Sequence, residues 1–550
     1  MIGLSAFRTF FSVHNRILSF ALLSVFALAN FFTNFRLSRF DPDIHHDGYV
    51  LAGAIAASEG LVPNRDFLAQ YGPLGPFFQG IWLQFTSPTL LNLRILNALL
   101  VTLNFTIAII LIARKWNFRF SILAVSTVAF SYPSVLTPMV PWTSVILTSS
   151  LLIALVSLQS QDSHSGSIYS SVFFFAGVIL GVGFYIRIHA IFVVVSLATF
   201  LVLQKNWSRL TSLLTGFILI VSVATLIQWR TNSLSDFVNQ VFLAPFISYT
   251  GDGGYPPKTQ IVNLFLFLSC FIYLSLFLVV ILGLKRFLVK SQKSRFGSLL
   301  LSVIFLLAST LAYSYGIKIP EIAIEDRSFR NPQYFLYYFC NNWRHVIGYC
   351  ALALLLLQLR RILWNFKLRN MPHSYIFLFF AFGVMAQLFP TADYAHLWWI
   401  TPLLLICCTE LVPEERVRKI LKPSLLISIL LVNFLFVTDF VAIPRYLVPS
   451  TVAKNMYTAN LGLQARLEAV AGNISPGKGY FHCAHGIFAV ADGKYLPRYP
   501  DFVNWGPQSP DKEEQSGKHF YCESKVNEAG LGTQVIWSDP TGNAFITLRE

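Results

Sequence analysis

Long apolar runs separated by short polar breaks make up most of residues 1–441. An apolar helix needs about 20 residues to cross a bilayer. By that measure the qualifying runs are 17–34, 89–113, 119–136, 140–159, 169–186, 188–204, 209–229, 261–284, 297–315, 345–363, 374–390, 395–412 and 423–441. Pro133, Pro138 and Pro141 break the pair after Phe118, where a re-entrant segment can replace a span. The pattern therefore predicts an all-α polytopic membrane protein of about 11 to 13 transmembrane helices. Arg8 and Arg16 precede the first run in the manner of a signal peptide, but the run is long for one and more spans follow, so a retained anchor is expected.

The polar breaks are unequal. The longest early one, Asp41–Pro76, reads DPDIHHDGYVLAGAIAASEGLVPNRDFLAQYGPLGP and carries several carboxylates, two histidines and a Tyr-Gly-Pro turn. Three others are Arg230–Gln260 with its GDGGYPPK turn, Gly316–Arg344 with RSFRNPQYFLYYFCNNWRH, and Thr391–His396, TADYAH. From residue 442 the chain turns polar, with frequent Gly and Pro. There LGLQARLEAVAG predicts a helix with a Gly stop. GYFHCAHGIFAV, TQVIWSD and NAFITLRE predict strands. The expected organisation is a transmembrane domain over 1–441, with residues 35–88 as its first outer loop, followed by a small extracytoplasmic α+β domain over 442–550.

Composition agrees with the pattern: 55% of residues are hydrophobic, 12% are charged and the mean hydropathy is +0.59, against about 25% charged in soluble domains. The net charge of +15 suits nucleic acid only if Lys and Arg cluster on a soluble face. Here they sit at the ends of apolar runs, as at Arg114-Lys115, Lys205, Lys285-Arg286, Arg360-Arg361 and Arg416-Val-Arg418, so no nucleic-acid partner is expected. This alternation places the N-terminus in the cytoplasm and the C-terminal domain outside. The loop at Asp41–Pro76 then faces outward. The seven cysteines form no CxxC pair. Those in apolar runs read as small buried hydrophobes, while Cys483 and Cys522 lie in the outer domain, where one disulfide can form.

The chemistry-bearing residues gather on the outer side. A carboxylate in the first loop is either a solvated turn residue or a general base within reach of an acceptor hydroxyl. Asp47 is best placed for the second role, because GYVLAGAIAASEG follows it and predicts a short helix along the membrane interface. Asp43 is the second candidate. His45, His46 and Asp47 raise a divalent metal as an alternative, but no third His or Cys stands at ligand spacing, so no cofactor and no metal is expected. No nucleotide-binding loop is present, and an outward-facing transferase therefore needs a lipid-carried donor. Arg65, Arg187, Lys318 and Arg344 are outer-side cations that either bind an anion or snorkel as anchors. Arg187 stands out, since Arg-Ile-His at Arg187–His189 interrupts two apolar runs where charge is costly. Asp393 and His396 at i, i+3 share a helical face or cap the next span. Tyr334, Phe335, Tyr337 and Tyr338 stack on sugar or form an interfacial belt.

The acidic loop after the first span, the small-residue helix, Arg-Asp-Phe and then Gln-Tyr-Gly-Pro-Leu-Gly-Pro entering the second span resemble the GT-C superfamily of integral membrane glycosyltransferases. The likeness is to bacterial relatives of protein mannosyltransferases and of the aminoarabinose transferase of lipid A. QLFPTADYAHLWWITP at Gln387–Pro402 is similar to a Phe-Pro-x-x-Asp-x-x-His segment of those relatives. The resemblance implies a polyprenyl-phosphate sugar donor, an acidic base in the first outer loop, and a glycan, lipid or protein acceptor in the cell envelope, with membrane lipid around the site. Where relatives often carry an acidic pair before Gly-Tyr, this chain has His46-Asp47, so Asp47 keeps the second acidic position. The residues expected at the substrate are His46, Arg65, Tyr71, Arg187, His189, Arg344, Asp393 and His396, with Asp47 and Asp43 as the catalytic candidates. A transporter or flippase of lipid-linked glycans is the alternative, and predicts charges buried in mid-span and inverted repeats.

Overall fold

A computed structural model of the chain describes residues 13–40, 42, 46–130, 140–159, 168–243, 346–365, 372–388, 394–415 and, towards the C-terminus, elements within 448–549. The expected spans 261–284, 297–315 and 423–441 lie outside the described residues, as do Asp43, Lys318, Arg344, Asp393, Cys483 and the aromatic run at Tyr334–Tyr338. The described part is mostly helical. Three helices in it are long and apolar enough to cross a bilayer, Ile17–Leu37, Leu90–Ile112 and Trp207–Arg230, and shorter apolar helices include Thr143–Gln159, Ser170–Ile186, Ala190–Leu203 and His396–Leu411. Ile17, Phe20, Val25 and Leu28 on the first, and Ile218, Val223, Leu226 and Ile227 on the third, are exposed. Such outward apolar side chains need lipid around them, and the chain is an integral membrane protein.

The residues divide into two compact units, one of Met1–Asn30, Asn104–Ser134 and Lys258–Arg445, the other of Phe31–Leu103, Val135–Pro257 and Tyr446–Glu550. Helices α1 (Val13–Leu37) and α4 (Leu90–Ile112) run through both. In the first unit α13 (Tyr394–Leu411) packs on α5 (Phe118–Ala129), α11 (Val346–Asn365) and α12 (Ile376–Met385). Its Trp398 Nε1 donates to the Val128 carbonyl at 2.8 Å, and Gly348 gives Thr401 room, since a Cβ there would lie 2.4 Å from the Thr401 hydroxyl. Lys115 and Glu410 pair at 3.5 Å.

The second unit contains α2 (His46–Ser58), α3 (Leu74–Phe85), α6 (Thr143–Gln159), α7 (Ile168–Ile186), α8 (Ala190–Leu203), α9 (Trp207–Arg230), α10 (Leu234–Val238) and a π-helical turn at Asn239–Leu243. The α7 and α9 backbones touch at glycines: a Cβ on Gly177 would sit 2.1 Å from the Leu213 carbonyl oxygen, and one on Gly216 2.1 Å from that of Phe174. Small residues at a crossing are how membrane helices gain dispersion contact without a hydrophobic driving force.

Helix α2 forms where the sequence predicts a short helix, and its Asp47, Gly48, Val50, Leu51, Ala52 and Ala54 to Ala57 are all buried. The reason is its composition: Ala and Gly let other segments approach on several sides. Gly80 of α3 comes so close that a Cβ there would lie 2.8 Å from Ala57 Cβ.

The C-terminal residues have the expected α+β character. β1 (Val448–Pro449) and β2 (Tyr457–Thr458) form an antiparallel pair, α14 spans Leu461–Asn473, and β3 (Tyr480–Phe481), β4 (His519–Cys522), β5 (Thr533–Ser538) and β6 (Phe545–Arg549) form a sheet in the order β3-β4-β6-β5. The β3–β4 pair is parallel and the others antiparallel. β4 was not among the expected strands.

Candidate active site

Asp47 stands in the first turn of α2, where the helix N-terminus favours a negative charge. Its Oδ2 accepts from Arg94 Nη2 in a short contact. Both side chains are buried, at 0% and 1% exposure. Arg94 lies near the start of α4, and its other terminal nitrogen donates to the carbonyls of Phe40, at 2.6 Å, and Ser38, at 3.2 Å. One guanidinium thus ties the chain leaving α1 to the carboxylate opening α2. The Ser38 hydroxyl donates to the Asn34 carbonyl at 2.7 Å and extends α1 to this point.

His46, beside Asp47, has its ring 6.0 Å from that of Trp142, just before α6. Tyr49, Trp142 and Tyr71 continue the cluster, with Tyr49 6.3 Å and Tyr71 5.4 Å from Trp142. The Gln79 amide donates to the Pro141 carbonyl at 2.7 Å and fixes the Trp142 segment. A small cavity of about 20 Å³ opens among Tyr49, Gly53, Tyr71, Gln79, Trp142 and Thr143. Among the described residues, the buried hydroxyl of Thr143 and the buried amide of Gln70 have no hydrogen-bond partner, and buried polar groups in that condition call for a polar ligand or water.

The guanidinium of Arg187 lies 5.3 Å from the Tyr71 ring, within cation–π range. Arg187 Nε donates to His189 Nδ1 at 3.2 Å, and the Arg187 side chain is only 2% exposed. Gly72 makes this approach possible. Its φ is +145°, and a Cβ would fall 2.3 Å from the Tyr185 carbonyl oxygen and 3.1 Å from that of Ile186. Gly72→Ala therefore adds a backbone clash to a conformational cost of about 1–3 kcal/mol. Gly60 also has positive φ, +87°, but nothing lies within 4 Å of a Cβ there. Unfolding in detergent micelles is expected to show a clearly larger loss for Gly72→Ala than for Gly60→Ala; equal losses contradict the close approach.

The loop between α2 and α3 is braced from the π-helical turn. Gln240 Oε1 accepts from Asn64 Nδ2 at 2.8 Å and from the Ala69 amide at 3.2 Å, and its Nε2 donates to the Asn64 carbonyl at 2.8 Å. Asn64 adopts φ 68°, a conformation that Asn tolerates better than most residues.

Through Trp142, His46 is linked to Tyr71, Arg187 and His189, and Asp47 follows His46 at the start of α2. Arg65 points elsewhere. It forms a two-pronged pair with Asp66, at 2.8 Å for both contacts, and donates to the Thr231 carbonyl at 3.0 Å. The hydrogen bonds to Asp66 push its guanidinium pKa above the usual value. His396 belongs to the first unit, with its ring 4.9 Å from Trp399. Among the described residues no three His, Cys, Asp or Glu side chains meet in a metal-binding group. Sequence reasoning missed Arg94, Trp142, Tyr49 and Gln79. For Arg94 the signal was present: it is the only charge within the apolar run 89–113, and a charge in a span is a functional candidate by default.

No protein-family model matches the chain, and no curated protein matches it. Compared as whole structures, it is similar to ArnT from Cupriavidus metallidurans, both in the crystal structure bound to undecaprenyl phosphate (12% identity, 98% of each chain covered, TM-score 0.46) and in the apo state (12% identity, 98% of each chain, TM-score 0.45).

Proposed function

We propose that the chain is an inverting glycosyltransferase that moves a sugar from a polyprenyl-phosphate donor to a cell-envelope acceptor on the outer face of the membrane. The observation that carries this reading is a run of contacts from the start of α2 to a buried cation. His46, next to the Asp47 carboxylate, lies against Trp142, Trp142 against Tyr71, and Tyr71 against Arg187, which donates to His189. The first-loop motifs that resemble the GT-C superfamily run through the same residues.

A lipid phosphate leaves readily, so the reaction needs one base and one site of positive charge. Asp47 takes the proton of the acceptor hydroxyl, the acceptor oxygen attacks the anomeric carbon, and the bond from that carbon to the phosphate oxygen breaks. Attack from the face opposite the leaving phosphate inverts the centre. Arg187 meets the charge that develops on the phosphate, and the flat rings of Tyr71 and Trp142 suit the C–H face of a sugar. The Thr143 hydroxyl and the Gln70 amide supply polar partners for its hydroxyls. Asp47 is fully buried, so acceptor binding displaces part of that cover. The protein then works in the inner membrane, with its N-terminus in the cytoplasm and residues 442–550 outside. Those residues form the second domain, and no cofactor takes part.

The buried charges also bear on the transporter alternative. Arg94 is near the start of α4 and Arg187 follows the end of α7, so neither stands in mid-span as a transport pathway would require. The function is tested by reconstituting the full chain in liposomes with a panel of polyprenyl-phosphate sugars, alongside mass spectrometry of envelope glycans and glycolipids from a deletion strain. Sugar transfer from one of the donors and the loss of one glycosylated component are expected. Translocation of a lipid-linked glycan without bond cleavage contradicts the proposal.

A further inference from the structure

The pair β1–β2 is not confined to the C-terminal residues. The Tyr457 amide donates to the Arg39 carbonyl at 2.7 Å, and Tyr457 bridges Phe40 in parallel register. Its hydroxyl accepts from Arg39 Nη2 at 3.2 Å, the Arg39 guanidinium lies 4.9 Å from its ring, and the Phe40 ring lies edge-on at 6.5 Å. Phe40 is also the residue whose carbonyl holds Arg94 at 2.6 Å, and Arg94 holds Asp47. A continuous run thus leads from Tyr457 through Arg39 and the adjoining Phe40 to Arg94 and the carboxylate.

We infer that Tyr457 is a positioning residue of the site, and that the C-terminal residues are a working part of it. Residues 38–40 end a helix and would otherwise be loop, so their carbonyls are fixed only by what pairs with them. Tyr457 pairs with the Arg39 carbonyl, and Arg94 with those of Ser38 and Phe40. Without Tyr457 the Phe40 carbonyl is free to turn from Arg94, and Arg94 in turn loses the direction in which it presents Asp47. As regards catalysis the inference rests on the glycosyltransferase reading; as regards the fixing of α2 it stands alone.

The test uses the full chain in nanodiscs and reads two quantities: hydrogen–deuterium exchange of peptides covering residues 46–58, and the kcat and KM for a polyprenyl-phosphate sugar. Tyr457→Ala is expected to raise exchange in those peptides severalfold while the α9 peptides stay unchanged. It is also expected to lower kcat about tenfold, as misplacement of a reacting group does, with KM for the donor within about twofold. Tyr457→Phe keeps the ring and the backbone bridge and restores most of both quantities. If Tyr457→Ala loosens exchange throughout the chain, Arg39→Ala decides: it leaves Tyr457 in place, and selective loosening of residues 46–58 supports the inference. Wild-type exchange over 46–58 in the deciding variant overturns it. A wild-type protein that transfers no sugar, with residues 46–58 loosened by Tyr457→Ala, removes the glycosyltransferase reading and leaves the positioning role intact.

Discussion

Asp47→Asn is expected to lower sugar transfer by about 100-fold or more, since a positioned general base contributes roughly 10²–10⁴ in rate. The amide keeps the shape of the carboxylate and its place in the first turn of α2, but it cannot take the acceptor's proton. Initial rates with a polyprenyl-phosphate sugar in proteoliposomes measure this. The donor affinity is expected to change little, because the cation proposed for the phosphate is Arg187, which is held by Tyr71 and His189. Transfer within about tenfold of wild type would mean that a different group removes the proton.

Arg94→Ala is expected to be the most destabilising single change in the second unit. Removing one partner of a buried ion pair costs about 3–5 kcal/mol, because the other charge is left without compensation. Here the loss is compounded, since the same guanidinium satisfies the carbonyls of Ser38 and Phe40. Arg94→Lys keeps the charge but not the planar fork that reaches a carboxylate and two carbonyls together, so it is expected to recover only part. Unfolding by denaturant in lipid bicelles reads both variants. An Arg94→Ala protein as stable as wild type would show that the pair contributes nothing to the fold.

Much of this arrangement could be read along the chain, for reasons that differ from element to element. The helices follow from apolar runs, since lipid and protein interior both select apolar side chains. Asp47 stood out because it precedes a helix in a polar loop, and Arg187 because it interrupts two apolar runs. Arg94 was missed for the opposite reason: a single charge in the long apolar run 89–113 was absorbed into the span that contained it. Arg65 was expected at the substrate, yet its neighbour Asp66 takes both prongs of its guanidinium. That acid was adjacent in sequence and offered the clue. The burial of α2 was not legible, because a run of Ala and Gly has little hydrophobic asymmetry and the burial depends on how closely α3 and the Leu61–Phe67 stretch pack on it. Trp142 gathers His46, Tyr49 and Tyr71 from positions far apart in sequence, and only folding reveals that. The contact of Tyr457 with Arg39 and Phe40 is likewise set by tertiary structure, since Arg39 and Tyr457 are 418 positions apart.

The ion pair raises one question above the others, whether Asp47 serves chemistry or only compensates Arg94. The double variant Asp47→Asn with Arg94→Leu answers it, measured for stability and transfer beside each single change. Replacing a buried ion pair by uncharged groups is often neutral in stability, so the double variant is expected to be more stable than Arg94→Ala, with a remaining loss from the unpaired Ser38 and Phe40 carbonyls, while transfer stays absent. Recovery of transfer together with stability would contradict the account, and would make Asp47 a counter-ion rather than the base.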